Sequence, residues 1–159
     1  MEALDAACPE DDGRVALVHG DYRIDNLLFA PERPEIVAVL DWELSTLGHP
    51  FADLAAVVMQ WRMPPGDQGR GLRGVDRTAE GLMTDEAFVA QYCDLMGLDR
   101  IDDFGVYVAF CFFRMAAILQ GVKKRALDGN ASDPERGLRL GELVPLYAEA
   151  GLEALDERP

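Results

Sequence analysis

Residues 104–119, FGVYVAFCFFRMAAIL, are the most apolar stretch of the chain and constrain its fold more than any other feature. A helix apolar on nearly every side must be covered, by neighbouring elements or by lipid. This run is short for a membrane span and carries Arg114 near its middle, so the sequence predicts a buried core helix. With 159 residues, 49% of them hydrophobic, the chain is long enough to build one compact domain around it.

The elements around that helix change character along the chain. Residues 14–18 (RVALV), 27–30 (LLFA) and 35–40 (EIVAVL) are short, partly β-branched and bounded by turn residues, as strands are. The PERP between the last two predicts a hairpin. From His49 onward helices take over, with Pro50 suited to a first helical turn before FADLAAVVMQW. Residues 62–84, rich in Gly, Pro and Arg, show no apolar period, and such a segment is usually functional or mobile. Thr84 is expected to cap a helix with Phe88, Tyr92 and Leu95 on one face, ended by Gly97. Asp102 opens the long helix to about Leu127, burying Phe104, Val108, Met115 and Val122. Asp133-Pro134 starts a last helix whose Leu140, Leu143, Val144 and Tyr147 face the core, bent by Gly141 and Pro145. The fold class is therefore α+β, mostly helical.

Charge and cysteine usage limit the partners. A net charge of −14 disfavours a nucleic-acid partner and an anionic membrane, so neither is expected. Cys8, Cys93 and Cys111 are odd in number, far apart and without zinc spacing, which suits a reducing cytoplasm. The acidic opening MEALDAACPEDDGR has neither a basic n-region nor an apolar h-region, so no signal peptide is expected.

The chemistry gathers in VHGDYRIDNLLF, residues 18–29. Such a stretch can be an ordinary polar turn between strands, with Asp and Asn bonding locally. The hairpin adds a constraint: Asn26 immediately precedes the outgoing strand and Asp41 immediately follows the returning one, so both lie at its open end. Asp21 can reach the same spot across a loop. Two carboxylates and an amide oxygen converging there are hard ligands of the kind magnesium takes, with substrate phosphates completing its octahedron. His49 reads as a helix-start residue, and Trp42 and Trp61 as core.

The spacing H-x-D-x-x-x-x-N, followed after a hairpin by an aspartate-aromatic pair, is the signature of the kinase catalytic core. Here it reads HGDYRIDN…LDWE, and it continues LDWELSTLGHPFADLA. The chain resembles the C-terminal lobe of the aminoglycoside phosphotransferase and choline kinase-like family, within the protein-kinase-like fold. Within that family it is most similar to kinase-like domains associated with acyl-CoA dehydrogenases, a likeness that extends to FFRMAAILQGVKKRALDGNAS, residues 112–132. The resemblance implies a small β-hairpin carrying the catalytic loop and metal ligands, with Mg2+ and ATP as cofactor and co-substrate. It implies that Asp21 orients the acceptor hydroxyl and takes its proton, and that Asn26 and Asp41 ligate magnesium. His19 would support the loop, and Asp53 would hydrogen-bond it from the next helix. Glu43 stays open between metal, substrate and solvent. Gly20 stands where protein kinases carry the arginine that pairs with a phosphorylated activation loop, so that mode of control is not expected.

Kinase-like catalysis also needs a first lobe with a phosphate-covering loop and a β-strand lysine. Residues 1–18 hold no Gly-rich strand-turn-strand and no lysine, and the only lysines are Lys123 and Lys124. Residues 1–159 are accordingly expected to be the C-terminal, catalytic and acceptor-binding lobe, with the nucleotide-binding lobe absent and little ATP turnover alone. An uncovered apolar face would then favour self-association or pairing with a missing N-terminal lobe. The acceptor is expected to be a small-molecule hydroxyl compound, a hydroxyacyl compound being the first choice. It would be held by the 62–84 loop, where Arg62, Arg70, Arg73 and Arg77 are candidates to meet a carboxylate, a CoA phosphate or no ligand at all. The alternative reading is a non-catalytic remnant that acts as a binding or scaffold module.

Overall fold

The computed structural model describes residues 1–66 and 70–157, so residues 67–69 of the long Gly/Pro/Arg segment lie outside the described part. Strands come first and helices after. Strand β1 (Ala16–Val18) leads into the HGD loop; β2 (Leu27–Phe29) and β3 (Ile36–Val39) follow; β4 (Thr46–Gly48) ends the β-rich part. The expected hairpin is present: β2 and β3 pair antiparallel, Leu27 opposite Val39, with an irregularity between Leu28 and Phe29.

The sequence reading did not anticipate β4. It pairs antiparallel with β1, Ala16 opposite Gly48 and Val18 opposite Thr46. Three residues ending in glycine carry almost no strand signal, and this pairing is a tertiary event. Its consequence is positional, because it sets the start of the next helix, α2 (Phe51–Trp61), beside His19. His49 does act at that helix start: its Nδ1 accepts the Phe51 amide at 3.3 Å, while Nε2 bonds Asp12 Oδ1 at 3.2 Å. A short helix α1 (Glu2–Ala7), also unanticipated, rests Leu4 against the core.

Helix α4 (Phe104–Leu127) is the apolar run and the hub of the domain, packed along α2, α5 (Pro134–Gly141) and α6 (Val144–Asp156). By length and composition it could cross a bilayer; here Val108, Ala109, Phe112, Ala116 and Leu119 lie buried against Val58, Met59, Tyr147 and Ala150. Burial of this cluster is the main stabilising term, at about 25 cal/mol per Å² of apolar surface. Small residues let the helices close up: a Cβ on Gly105 would lie 2.3 Å from the Ala154 carbonyl oxygen.

Helix α3 (Asp85–Met96) begins and ends on the expected residues. Thr84 Oγ1 accepts the Ala87 amide at 3.2 Å, and Gly97 closes the helix in the left-handed conformation. Phe88 packs on the core and Tyr92 meets the Phe51 ring edge-on, but Leu95 is 79% exposed and does not share that face. Helix α4 starts at Phe104 with Asp103 in the capping position, one residue later than expected for its cap. Val108 is buried, Phe104 and Met115 pack partly buried on the core, and Val122 is half-buried. The last helix is two: Asp133 caps α5 through the Arg136 amide at 2.9 Å, and the chain breaks at Glu142–Leu143 before α6. Pro145, with no amide hydrogen, is accommodated because it falls in the first turn of the new helix.

Candidate active site

The HGD loop emerges from β1 with His19 almost fully buried. Its ring bridges two segments: Nε2 donates to the Leu40 carbonyl at 2.8 Å, and Nδ1 accepts the Asp21 amide at 3.2 Å. Those two roles select the neutral Nε2–H tautomer. The ring is packed 4.7 Å from Trp42 and 5.9 Å, edge-on, from Tyr22. Trp42 is 44% exposed, so it serves as cover for His19 and not as core.

All four main-chain polar groups of Gly20 and Asp21 are held by side chains. The Gly20 amide donates to Asp53 Oδ1 at 3.0 Å, while the His19 amide donates to Asp53 Oδ2 at 2.7 Å. The Gly20 carbonyl accepts from Arg114 Nη2 at 3.2 Å. The Asp21 amide goes to His19, and the Asp21 carbonyl accepts from Asn26 Nδ2 at 2.8 Å. Gly20 has φ +85°, and a Cβ there would lie 2.6 Å from the Leu44 carbonyl oxygen, so only glycine fits.

Asn26 Nδ2 also approaches Asp21 Oδ2, at 3.1 Å. With its amide nitrogen committed twice to Asp21, Asn26 has Oδ1 left as a hard oxygen donor. The Leu40 amide donates to the Asn26 carbonyl at 2.8 Å, which carries the hairpin ladder one step past Leu27–Val39, so Asp41 is the residue that follows the partner of Asn26. Asp41 is exposed and sits at φ +67°, left-handed backbone that turns the chain sharply out of β3. Among the described residues no three His, Cys, Asp or Glu side chains gather as a metal cage. An amide oxygen plus one carboxylate nevertheless suits Mg2+, which commonly takes one or two protein ligands together with water and phosphate oxygens. Glu43 is exposed in the 3-10 turn Trp42–Leu44, two residues beyond Asp41.

The four arginine candidates divide. Arg62 bridges Asp85 Oδ2 at 2.8 Å and Glu157 Oε2 at 2.7 Å. Burial works against the Arg62 charge, yet Asp85 and Glu157 outweigh it and raise the pKa. Arg77 lies 2.8 Å from Asp85 Oδ1 and over the Trp61 ring; Arg73 meets Glu153 at 3.2 Å. These three line a cavity of about 380 Å³ with Trp61, Asp85 and Phe112, and Asp21 is not part of its wall. Of the four, only Arg70 approaches the HGD loop and the turn after it, 3.9 Å from the Asp25 carboxylate. The described part of 62–84 is stitched to the end of α2, Leu72 amide to Trp61 carbonyl at 2.8 Å and Arg73 amide to Met63 carbonyl at 3.0 Å.

Two residues escaped the sequence reading. Asp85, 9% exposed, gathers Arg62 and Arg77, and as the first residue of α3 it looked like an ordinary helix-start acid. Arg114 had a signal: a lone cation inside an apolar helix needs a partner, and that partner is the Gly20 carbonyl of the HGD loop.

Known proteins resemble this chain in sequence and fold. Mouse acyl-CoA dehydrogenase family member 10 is 53% identical over 137 residues, 86% of this chain and 13% of that protein. Human acyl-CoA dehydrogenase family member 11 is 37% identical over 150 residues, 91% of this chain and 18% of that protein. A Ralstonia eutropha crystal structure described as a "putative aminoglycoside phosphotransferase" superposes with a TM-score of 0.88 at 40% identity, covering 99% of this chain and 50% of that one. The chain thus spans less than a fifth of these curated relatives and half of the solved structure, and its helical body with two small antiparallel ribbons is the C-terminal lobe of a protein-kinase-like fold. The phosphotransferase enzyme family model (APH) matches residues 1–96, and the chain belongs to that family.

Proposed function

We propose that this phosphotransferase-like domain moves the γ-phosphoryl group of ATP to the hydroxyl of a small molecule, with Asp21 as the catalytic base. The observation that carries the proposal is the fixation of the Gly20–Asp21 main chain by His19, Asn26, Asp53 and Arg114. A carboxylate held on so rigid a loop can orient an incoming hydroxyl and take its proton, and such positioning supplies most of the catalysis in phosphoryl transfer. Asn26 Oδ1 and the Asp41 carboxylate are the residues suited to hold Mg2+. Bound there, the ion would neutralise charge on the phosphate oxygens. Asn26 has a double duty, since its Nδ2 steadies Asp21 Oδ2.

A hydroxyacyl compound is the proposed acceptor. Its support is the similarity to acyl-CoA dehydrogenase family members and the position of Arg70 beside the loop, where it can meet an acceptor anion. A cytoplasmic setting accords with three unpaired cysteines. Cover for the triphosphate is proposed to come from a first lobe that is not part of residues 1–159.

The test is calorimetric titration of the chain with Mg-ATP, alone and with a nucleotide-binding lobe supplied, followed by assay of phosphoryl transfer to hydroxyacyl acceptors. Binding and transfer with the added lobe are expected. No binding under either condition would overturn the proposal and leave a binding or scaffold module.

A further inference from the structure

We infer that Arg114 is a positioning residue for phosphoryl transfer: from the middle of α4 its guanidinium fixes the Gly20–Asp21 peptide and, through it, the Asp21 carboxylate. The inference rests on Asp21 being the catalytic base, as proposed above.

Arg114 is half-buried on the side of α4 that carries the exposed Phe110, Phe113, Ala117 and Ile118. The half-buried part of this cation loses hydration, which a hydrogen-bond partner on its inner side compensates. Its one hydrogen bond among the described residues goes to the Gly20 carbonyl. Arg114 is therefore placed for the loop and not for a surface ion pair.

The loop needs that contact for a specific reason. Gly20 has no Cβ and reaches conformations that other residues cannot, so the peptide joining it to Asp21 has little intrinsic resistance to rotation. External groups must hold it. Asp53, negative, takes the amide of Gly20, and Arg114, positive, takes the carbonyl. Charge-assisted bonds of opposite sign on the two sides of one residue match its main-chain dipoles and are stronger than neutral ones. Rotation of the Gly20–Asp21 peptide would break the Asp21 amide from His19 Nδ1 and shift the carboxylate relative to Asn26. A displacement of about 1 Å at a reacting group can cost about 100-fold in rate.

The outer side of Arg114 borders an open, mostly apolar groove of about 480 Å³, which allows chemical rescue. The experiment compares the full chain with Arg114→Ala and Arg114→Lys by residue-resolved amide hydrogen exchange, with and without ethylguanidinium. Phosphoryl transfer from Mg-ATP is measured alongside, with the nucleotide-binding lobe present. In Arg114→Ala the Gly20 and Asp21 amides should exchange about tenfold faster or more, while those of Phe112 and Ala150 keep their protection. The kcat should fall about 100-fold with the KM for Mg-ATP unchanged, ethylguanidinium should restore both readouts, and Arg114→Lys should fall between. Unchanged exchange at Gly20, or faster exchange spread over α4 and α6 without rescue, would overturn the role of Arg114. A wild-type protein that transfers no phosphoryl group would instead overturn the reading of Asp21 as base, and the catalytic part of this inference with it.

Discussion

Asp53 reaches back across thirty-four residues to His19, accepting its amide at 2.7 Å with one carboxylate oxygen and the Gly20 amide at 3.0 Å with the other. Both bonds are charge-assisted and partly buried, and the β1–β4 ribbon brings the two segments together. Asp53→Ala removes both acceptors and should cost about 2–4 kcal/mol, since bonds to charged groups contribute about 1.5–3 kcal/mol each and are not additive. Asp53→Asn keeps one oxygen and should lose about half as much. Urea unfolding of the two variants checks the ratio, and equal losses would mean that packing rather than bonding dominates.

At Gly20 the constraint is steric as well as conformational. Alanine would meet the Leu44 carbonyl oxygen at 2.6 Å, and that oxygen belongs to main chain that cannot simply turn away. With the positive φ added, Gly20→Ala should destabilise by about 2 kcal/mol or more. For a domain of this size that lowers the melting temperature by about 4–8 °C. Calorimetry checks the shift, and phosphoryl transfer should be lost well below the melting temperature because Asp21 moves with its neighbour.

The grouping of His19, Asp21 and Asn26 was legible because it is local: a short loop, a hairpin and a spacing that leaves few places for the side chains to go. Thr84, Gly97 and Asp133 were legible for the same reason, each cap being a contact over a few residues. What escaped was long-range. The β4 strand exists because β1 is there to pair with it, Arg114 meets a loop ninety-four residues away, and Asp85 meets two arginines, Arg62 and Arg77, from separate parts of the 62–84 segment. Leu95 failed differently, because the solvent side of a short amphipathic helix still tolerates a leucine.

The proposed magnesium ligands can be separated from the base by substitution. Asp41→Asn removes the one carboxylate of the pair, while Asp21→Asn leaves Asn26 Oδ1 and Asp41 in place. Mn2+ binding in the presence of nucleotide and the supplied first lobe, read by electron paramagnetic resonance, should weaken at least about tenfold for Asp41→Asn and change little for Asp21→Asn. Transfer should be lost in both. Equal weakening of Mn2+ binding would make Asp21 a ligand and not the base.

Cys111 provides a pH test of the core. Burial pushes its thiol up from 9.0 to about 11, the nearby Arg114 offsetting only part of the effect, while its Sγ rests against the Ala52 carbonyl at 3.7 Å. The folded thiol thus keeps its proton where the unfolded thiol has lost it, so the unfolded state binds fewer protons between pH 9 and about pH 11. Stability should fall as pH rises through that window and be indifferent to this group below it. Comparing urea unfolding of the wild type with Cys111→Ala at several pH values isolates the contribution, because the variant should lack that part of the slope. At pH 8 a thiol reagent should label the exposed Cys8 and spare Cys111 until the chain unfolds.

Asp85 holds Arg62 and Arg77 at the wall of the polar cavity, and the two arms differ. Arg62 Nε makes an aligned hydrogen bond to Oδ2, whereas Arg77 Nη1 and Asp85 Oδ1 are 2.8 Å apart without hydrogen-bond geometry and are otherwise unsatisfied. Asp85→Ala leaves two guanidinium groups without their shared carboxylate and should cost about 3–5 kcal/mol. Arg62→Met should cost less, because Arg77 still accompanies Asp85. Arg77→Met should cost least, since its contact is a poorly aligned ion pair and Arg62 keeps its own bond. Urea unfolding of the three variants should return that order. Arg77→Met as the most damaging of them would shift the weight from the ion pair to the packing of Arg77 over Trp61.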